Sequence, residues 1–264
     1  MEVFKYYPPN KYSFDALRKE YFFFSKVKRL NDPFDCSYKL IKHTKLAQEL
    51  INRRLLSDNS DMIMKEYGTC SFSSCRDSMH LWTFYAMDFT GFAIGFADEK
   101  FEELPSVFLN RILYYEVTYL DEMIDLDCQL TRIAVKDLFE DSEETCTIAE
   151  INACISDPKK LDMLFKYLCT IKYSHWKNEQ ERRLIVANDI IRNKEKLENK
   201  GVKYLSVGYN IPMVKDSITE IIAGHNMNPH YFRLLKCIAK YKKIPLYKTK
   251  VEQPFNIEFE KIDY

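Results

Sequence analysis

A short run of charged residues in the second half of the chain has the residue types and spacing to do chemistry. Trp176 is followed by Glu179, Glu181 and Arg183, and an apolar stretch comes directly after them. Alternate side chains of a β-strand share a face, so both carboxylates and the guanidinium would lie together, with neighbours about 6.5–7 Å apart. Such a density of charge beside an aromatic ring is more typical of a site than of a core. An exposed strand face with ordinary ion pairs is the alternative interpretation.

The composition excludes several classes of site. With 264 residues, 46% of them hydrophobic, the chain fits one large domain with a substantial core. It has 6 glycines and neither G-x-G-x-x-G nor G-x-x-x-x-G-K-[ST], so a Rossmann or P-loop nucleotide site is not expected. The five histidines lack H-x-x-x-H and H-E-x-x-H spacing, so a zinc site is not expected.

The cysteines and the apolar runs indicate a compartment. The 8 cysteines form no C-x-x-C pair, and the first residues do not resemble a signal peptide. Since no apolar run approaches the ~18 residues of a membrane span, we expect reduced thiols in a cytoplasmic protein that does not bind membranes.

The net charge is zero, but the charges are segregated along the chain. Residues 120–157 hold 11 acidic and 2 basic residues, whereas residues 225–251 hold 7 Lys and Arg and no acid. We interpret 120–172 as an acidic helical insertion within a single domain, 1–264, with a solvated acidic face. The basic stretch suits phosphates or an acidic partner, although a plain cationic surface helix is the more economical interpretation.

Hydrophobic periodicity predicts a mixed order of strands and helices. The predicted strands are 3–7, 21–25, 69–73, 91–96, 114–119, 181–187, 203–207, 218–223 and 244–249. The predicted helices lie within 14–19, 40–67, 79–87, 158–171 and 229–240. This order predicts an α+β fold with one main sheet or two small packed sheets.

Seven motifs follow one another along the chain. They are FKY at 4–6, LNDPFDC at 30–36 after a strand that ends at Ser25, CSFS at 70–73, WTFYA at 82–86, GFAIGF at 91–96, WKNEQERR at 176–183 and ITEIIAG at 218–224. In this order they resemble the bacterial family of unknown function DUF2971, over most of the chain apart from 120–172. Leu30 stands where that family usually has Phe, and Phe84 where His is common. The family name assigns no reaction.

The Glu179-Gln180-Glu181 segment has a second, more distant resemblance. ADP-ribosyltransferases carry E-x-E or Q-x-E at the start of a late strand, and their split β-sheet clamps NAD. This resemblance implies an ADP-ribosyltransferase-like split mixed or antiparallel β-sheet core with flanking helices and a helical insertion. It also places Lys5 and Tyr6 at the first-strand position where those enzymes contact NAD, usually through Arg or His.

The same resemblance implies roles for the charged residues. Glu181 would stabilise the positive charge that grows on the ribose as its bond to nicotinamide breaks. Glu179 would position or deprotonate the acceptor, and Arg183 would keep a carboxylate ionised by lowering its pKa.

The remaining site residues would bind NAD as a substrate. Trp82 and Tyr85 would stack on nicotinamide or adenine, and Asn31 and Asp32 would bond the nicotinamide amide or the ribose. The full NAD-binding set implied in this way is Lys5, Tyr6, Ser25, Asn31, Asp32, Trp82, Tyr85 and Arg183, with Glu179 and Glu181 catalytic. Each has a plain alternative: core aromatics for Trp82 and Tyr85, a structural turn for Asn31 and Asp32, and ordinary strand residues at 5–6.

These observations lead to an expected function with two open alternatives. We expect an NAD-dependent ADP-ribosyltransferase-like enzyme, acting as an intracellular toxin or antiviral-defence effector on a protein or nucleic-acid acceptor, with an antitoxin or regulatory protein as a further partner. One alternative is a Mg²⁺-dependent nuclease that uses Asp32, Asp35, Glu179 and Glu181. The other is a non-catalytic sensor that binds nucleic acid or an acidic partner through 233–250.

Overall fold

The computed structural model describes residues 1–32, 34–36, 42, 48, 51–53, 67–104, 112–123, 168–186, 198–251 and 256–263. Most of the predicted acidic insertion at 120–172, and most of the helical segment predicted at 40–67, lie outside these residues and stay predictions. Among the described residues, no helix has the length and apolar character needed to cross a membrane.

Short strands and a few helices make up the described fold. The strands are β1 (Glu2–Tyr7), β2 (Tyr21–Lys26), β3 (Gly68–Ser73), β4 (Phe92–Ala97), β5 (Ile112–Glu116), β6 (Thr118–Leu120), β7 (Ile171–Tyr173), β8 (Glu181–Val186), β9 (Lys203–Leu205), β10 (Gly208–Pro212), β11 (Ile218–Ala223), β12 (Leu246–Lys250) and β13 (Glu258–Lys261). The helices are α1 (Lys11–Lys19), α2 (Met79–Phe84) and α3 (Pro229–Lys242), with 3₁₀ turns at Val27–Arg29, Asp98–Glu102 and Ser174–Glu179.

Polar caps set where the helices begin. The Asn10 side chain accepts hydrogen bonds from the backbone N–H groups of Tyr12 and Ser13, so α1 begins earlier than the predicted Phe14. Ser78 caps α2 as predicted, and Asn228 caps α3 with Pro229 in its first turn. An oxygen that satisfies free N–H groups at a helix start stabilises that start.

The strands form a mostly antiparallel sheet, which confirms the predicted α+β class. Its order is β13-β12-β11-β4-β1-β3-β2-β10-β9, with β8 added to β3 and β5 added to β8. The pairs β11–β12 and β6–β7 are parallel, and β6 and β7 form a separate two-stranded sheet. Residues of β1, β4 and β11 that are completely buried fill the centre of the core.

The sheet branches at β3. In the described register, β1 pairs with β3 at one position, Phe4 opposite Ser73, whereas β2 pairs with the other end of β3 at Gly68 and Thr69. Between these contacts the Lys5 ammonium donates to the Ser71 carbonyl at 2.9 Å. A side chain therefore satisfies a strand carbonyl at the point where the backbone ladder opens.

Two boundaries differ from the predictions for a local physical reason. Helix α2 ends at Phe84 rather than 87, because Met87, Asp88 and Phe89 have left-handed φ values of 47°, 52° and 61°. The strand predicted at 114–119 is divided into β5 and β6 at Val117, whose N–H donates to the Glu181 carbonyl. Strands β7, β10 and β13 have no counterpart in the predictions.

Candidate functional site

The predicted charged face on β8 exists in part. Glu181 and Arg183 lie opposite Ser73 and Ser71 of β3 and share one face of the sheet. Glu179 belongs instead to the 3₁₀ turn before β8, and Gln180 has a left-handed φ of 42°. The predicted strand start at Glu181 is confirmed. The expectation that strand alternation places Glu179 on the same face is wrong, because the 3₁₀ turn brings its carboxylate there.

All three side chains are buried. The relative exposures of Glu179, Glu181 and Arg183 are 3%, 4% and 1%, so an exposed strand face with ordinary surface ion pairs does not describe them. Charges without solvent need close partners, and the fold supplies these from three other segments.

The β6–β7 ribbon supplies a cation and a hydroxyl. Lys172 on β7 lies opposite Tyr119 on β6. The Lys172 ammonium is 2.5 Å from Glu179 Oε2 and 3.0 Å from Glu181 Oε2. The Tyr119 hydroxyl accepts a hydrogen bond of 2.8 Å from the Glu181 N–H, which fixes the start of β8 against the ribbon.

The turn after β2 supplies a third carboxylate. Asp32 accepts the Phe34 N–H through its side chain and the Asp35 N–H through its carbonyl, so its role as a structural turn residue is observed. This turn aims Asp35 at Arg183, with Nη1–Oδ1 and Nη2–Oδ2 distances of 2.7 and 2.6 Å. Arg183 also binds Glu181 through two hydrogen bonds of 2.6 and 2.9 Å. We call Asp35, Lys172, Glu179, Glu181 and Arg183 the charged cluster.

Helix α2 and Asn31 close the outer end of the charged cluster. The Tyr85 hydroxyl donates to Glu179 Oε1 at 2.7 Å and accepts from Asn31 Nδ2 at 3.3 Å. His80 Nε2 is 3.7 Å from the same Glu179 oxygen, and 33% of its side chain is exposed. We call Asn31, His80, Phe84, Tyr85 and Trp176 the site mouth.

The electrostatics of the charged cluster keep Glu181 ionised. Burial alone would raise the pKa of Glu181, but Arg183 and Lys172 overcome this and lower it to about 2. Burial likewise opposes the charge of Lys172, but the carboxylates of Glu181 and Glu179 raise the pKa of its ammonium. With all members ionised, three carboxylates face two cations and the formal charge is −1, which favours binding of a positive group.

Two aromatic residues predicted to contact NAD instead support the backbone before α2: Trp82 in the core, and Tyr6 partly buried against it. Trp82 is completely buried, stacks on Phe89 at 5.3 Å and donates its indole N–H to the Arg76 carbonyl. The Tyr6 hydroxyl donates to the carbonyls of Cys75 and Arg76. Both side chains hold the segment before α2, so they act on the site through its backbone.

Two further predicted residues lie away from the charged cluster. Lys5 bonds the Ser71 carbonyl and lies over the Phe72 ring at 5.4 Å, on the face of the sheet opposite Glu181 and Arg183. The Ser25 hydroxyl donates to the neighbouring Lys26 carbonyl at 3.3 Å. The structure thus brings together Asn31, Tyr85, Glu179, Glu181 and Arg183 from the predicted set, with Asp32 holding the turn beside them.

Lys172, His80 and Phe84 belong to the site but were not among the site residues expected from the sequence. Lys172 stands between Ile171 and Tyr173 in a three-residue strand, which is too short to show alternation. His80 is the second residue of α2, two positions after the Ser78 cap. The sequence signal for Lys172 is its position seven residues before Glu179. This spacing does not tell where its side chain lies relative to the acidic pair.

Several residues of the two alternatives have protein partners in the structure. Asp35 and Glu181 direct their oxygens at Arg183, and among the described residues no group of three or more His, Cys, Asp or Glu is arranged to hold a metal ion. In the basic stretch, Lys236 donates to the Asp263 carbonyl and Lys242 pairs with Glu20 at 2.7 Å.

Comparison with known proteins adds a family but no activity. No curated protein and no solved structure matches the chain. Residues 81–184 match the family model of DUF2971, a protein family of unknown function. The match begins within α2, after the motifs at 4–73, and ends within β8. It includes Phe84, Tyr85 and Trp176 of the site mouth and the acidic pair, whereas Asn31 and His80 lie before it. The predicted resemblance to DUF2971 is therefore confirmed, and it is carried by residues 81–184 of this chain.

Proposed function

We propose that the chain is an ADP-ribosyltransferase-like enzyme that uses NAD as its substrate and has its active centre at the outer end of the charged cluster. The observation that carries the proposal is the position of the acidic pair at the branch of the sheet. Glu181 lies opposite Ser73, and Ser73 is the residue at which β3 pairs with Phe4 of β1. A branched, mostly antiparallel sheet with an E-x-E segment at its branch supports the proposal, because the sequence resemblance led us to expect an acidic pair at the start of a late strand.

The geometry favours an exchange of the two glutamate roles expected from the sequence. Both oxygens of Glu181 are bound by Arg183, and one is also 3.0 Å from Lys172. Glu179 is as buried as Glu181, but it is the glutamate that contacts the site mouth, and its Oε1 accepts an O–H donor, Tyr85, at 2.7 Å. A carboxylate oxygen has a second lone pair, so Glu179 Oε1 can accept a ribose hydroxyl beside or in place of Tyr85.

The chemistry requires an ionised carboxylate near the ribose. When the bond between nicotinamide and ribose breaks, the electron pair leaves with nicotinamide and positive charge develops on the sugar. Glu179 would stabilise this charge, while Glu181 and Lys172 hold it in place. The formal charge of −1 on the charged cluster also favours the cationic nicotinamide end of NAD over a neutral ring.

Nicotinamide release from NAD tests the proposal. Wild-type protein is incubated with NAD, with and without added protein and nucleic-acid acceptors, and free nicotinamide is measured by chromatography. We expect release by the wild type and a fall of about 10²–10³-fold in Glu179→Gln, the usual cost of removing one such electrostatic contact. The matched control is Glu116→Gln, because this side chain is 79% exposed on the neighbouring strand β5.

Two results would contradict the proposal. One is the absence of nicotinamide release and of label transfer by folded wild-type protein under conditions in which a reference transferase turns over. The other is equal release by wild type and Glu179→Gln. Circular dichroism of each variant checks that a loss of release does not arise from a loss of folding.

A further inference from the structure

Aromatic side chains line the site mouth in a row. Phe84 is 69% exposed, and its ring centroid is 4.7 Å from that of His80. The His80 centroid is in turn 6.2 Å from that of Trp176. The Lys172 ammonium lies over the Trp176 ring, 4.9 Å from its centroid. We call Phe84, His80 and Trp176 the aromatic row.

The aromatic row is not part of the hydrophobic core. Helix α2 turns Trp82 into the core with no exposed surface, whereas Phe84, two residues later, is mostly exposed. Single exposed aromatic side chains are ordinary on a protein surface, and Tyr12 and Tyr241 are at least as exposed. Phe84 differs because its ring contacts His80, which lies beside the buried carboxylate of Glu179. Such a ring offers a flat face on which another ring can stack.

Polar groups with remaining capacity border the aromatic row. His80 Nε2 is shielded from solvent and makes no hydrogen bond within the described residues. Its distance of 3.7 Å to Glu179 Oε1 is too long for one. Asn31 is exposed, and it contacts Tyr85 at the weak distance of 3.3 Å. A ligand with donors and acceptors on its edge would gain from these groups, since a shielded polar atom without a partner is costly.

The geometry points to a stacking site for a planar nitrogen heterocycle, of the pyridine or purine class, on the Phe84 face of the aromatic row. The ring edge would lie within reach of the Asn31 amide and the Tyr85 hydroxyl. Apolar aromatic faces bordered by a few polar groups suit such rings better than they suit sugars or simple anions. This inference rests on the proposed function, because it assigns the ring end of the same substrate.

Binding of small probes to the whole chain tests the inference separately from catalysis. Isothermal titration with nicotinamide, adenosine and ribose 5-phosphate gives the Kd of two ring probes and of one probe without a ring. We expect a ring probe to bind and ribose 5-phosphate to bind at least tenfold more weakly. Phe84→Ala should weaken ring binding about 5- to 150-fold, the range for loss of one stacked base.

Two variants control for indirect effects. Met79→Ala removes another exposed apolar side chain from α2, 44% exposed, and should leave the Kd unchanged. Phe84→Tyr keeps a stacking face and should bind within about threefold of the wild type. Because Phe84 is mostly exposed, we expect Phe84→Ala to fold, and its urea midpoint checks this.

Each outcome decides one of the two proposals. Absence of binding by both ring probes, equal binding of ribose 5-phosphate, or an unchanged Kd in Phe84→Ala would overturn the stacking site. Ring binding that depends on Phe84 without release of nicotinamide from NAD would support the stacking site and contradict the transferase. Release of nicotinamide with an unchanged Kd in Phe84→Ala would support the transferase and contradict the stacking site.

Discussion

Replacement of Arg183 by Met should be among the most destabilising single changes in this protein. The Arg183 guanidinium makes two hydrogen bonds to Glu181, two to Asp35 and one of 2.8 Å to the Cys169 carbonyl, and its side chain is 1% exposed. Met keeps much of the side-chain volume but leaves two buried carboxylates without this partner.

The expected loss follows from the burial of these carboxylates. Removal of one partner from a buried ion pair costs about 3–5 kcal/mol, because the other charge stays uncompensated. Glu181 retains Lys172 at 3.0 Å, so we expect Asp35 to account for much of the loss. Against a total stability of about 5–15 kcal/mol, this is a fifth or more of the folding free energy. If the free energy of unfolding decreases by roughly 2–3 kcal/mol per M of urea, the urea midpoint should fall by about 1–2 M.

The pH dependence separates a charge effect from a packing effect. In Arg183→Met, a proton that binds a buried carboxyl group removes an uncompensated charge and breaks no ion pair with a guanidinium. The variant therefore gains stability as the pH falls towards 4, whereas the wild type does not. The deficit relative to wild type, measured by urea denaturation at pH 7 and pH 4.5, should shrink at the lower pH.

The neighbouring Arg182 supplies a matched control on the same strand. Its side chain is 19% exposed and pairs with Asp98 at 3.2 Å. We expect Arg182→Met to cost about 1 kcal/mol or less, as for other partly solvated ion pairs. Equal losses in Arg182→Met and Arg183→Met, or a deficit at Arg183 that does not change with pH, would refute the reasoning about the charged cluster.

Three further changes probe the frame of the site by urea denaturation. The folded pKa of Glu181 is lowered to about 2, so the free energy of unfolding of the wild type should decrease by about 3 kcal/mol from this group as the pH falls from about 5 to 2. In Glu181→Gln this part of the decrease should be absent. An unchanged dependence of the unfolding free energy on pH would contradict the ion pairing. Lys5→Met should lower the free energy of unfolding by about 1–3 kcal/mol, since it removes the 2.9 Å hydrogen bond to the Ser71 carbonyl. An unchanged free energy of unfolding would mean that the branch of the sheet needs no side-chain donor. Gly224→Ala should cost at least about 2 kcal/mol, because its Cβ would lie 1.9 Å from the Phe89 carbonyl oxygen; a wild-type midpoint would show that this approach relaxes freely.

Much of the local structure could be predicted because it depends on local pattern. The strand predicted at 218–223 has the observed bounds, since an apolar run that ends at Gly224 is a complete local signal. The Ser78 cap was also recognisable. Strand β10 was missed because it begins at Gly208 and ends at Pro212, residue types that usually interrupt strands.

The site itself could be predicted only in part. Glu181 and Arg183 share a face because two residues separate them, and alternation along a strand requires this. The place of Glu179 depends on the left-handed backbone of Gln180, a conformation that non-glycine residues adopt only under tertiary constraint. From this motif, the shared face of Glu181 and Arg183 was predicted correctly, and the placement of Glu179 by strand alternation was predicted wrongly.

The sequence by itself determined the class of fold, the position of the acidic pair before an apolar strand, and the motifs that resemble DUF2971. The tertiary structure alone decided which charges meet: Asp35 and Arg183 are 148 positions apart, and Lys172 reaches both glutamates from a three-residue strand. It also decided that Trp82 is a core residue and that Phe84 is exposed. The physical reason is that periodicity encodes which face of its own element a residue occupies. The partners on that face come from distant segments, and these partners set the burial, the ionisation and the accessibility of each group.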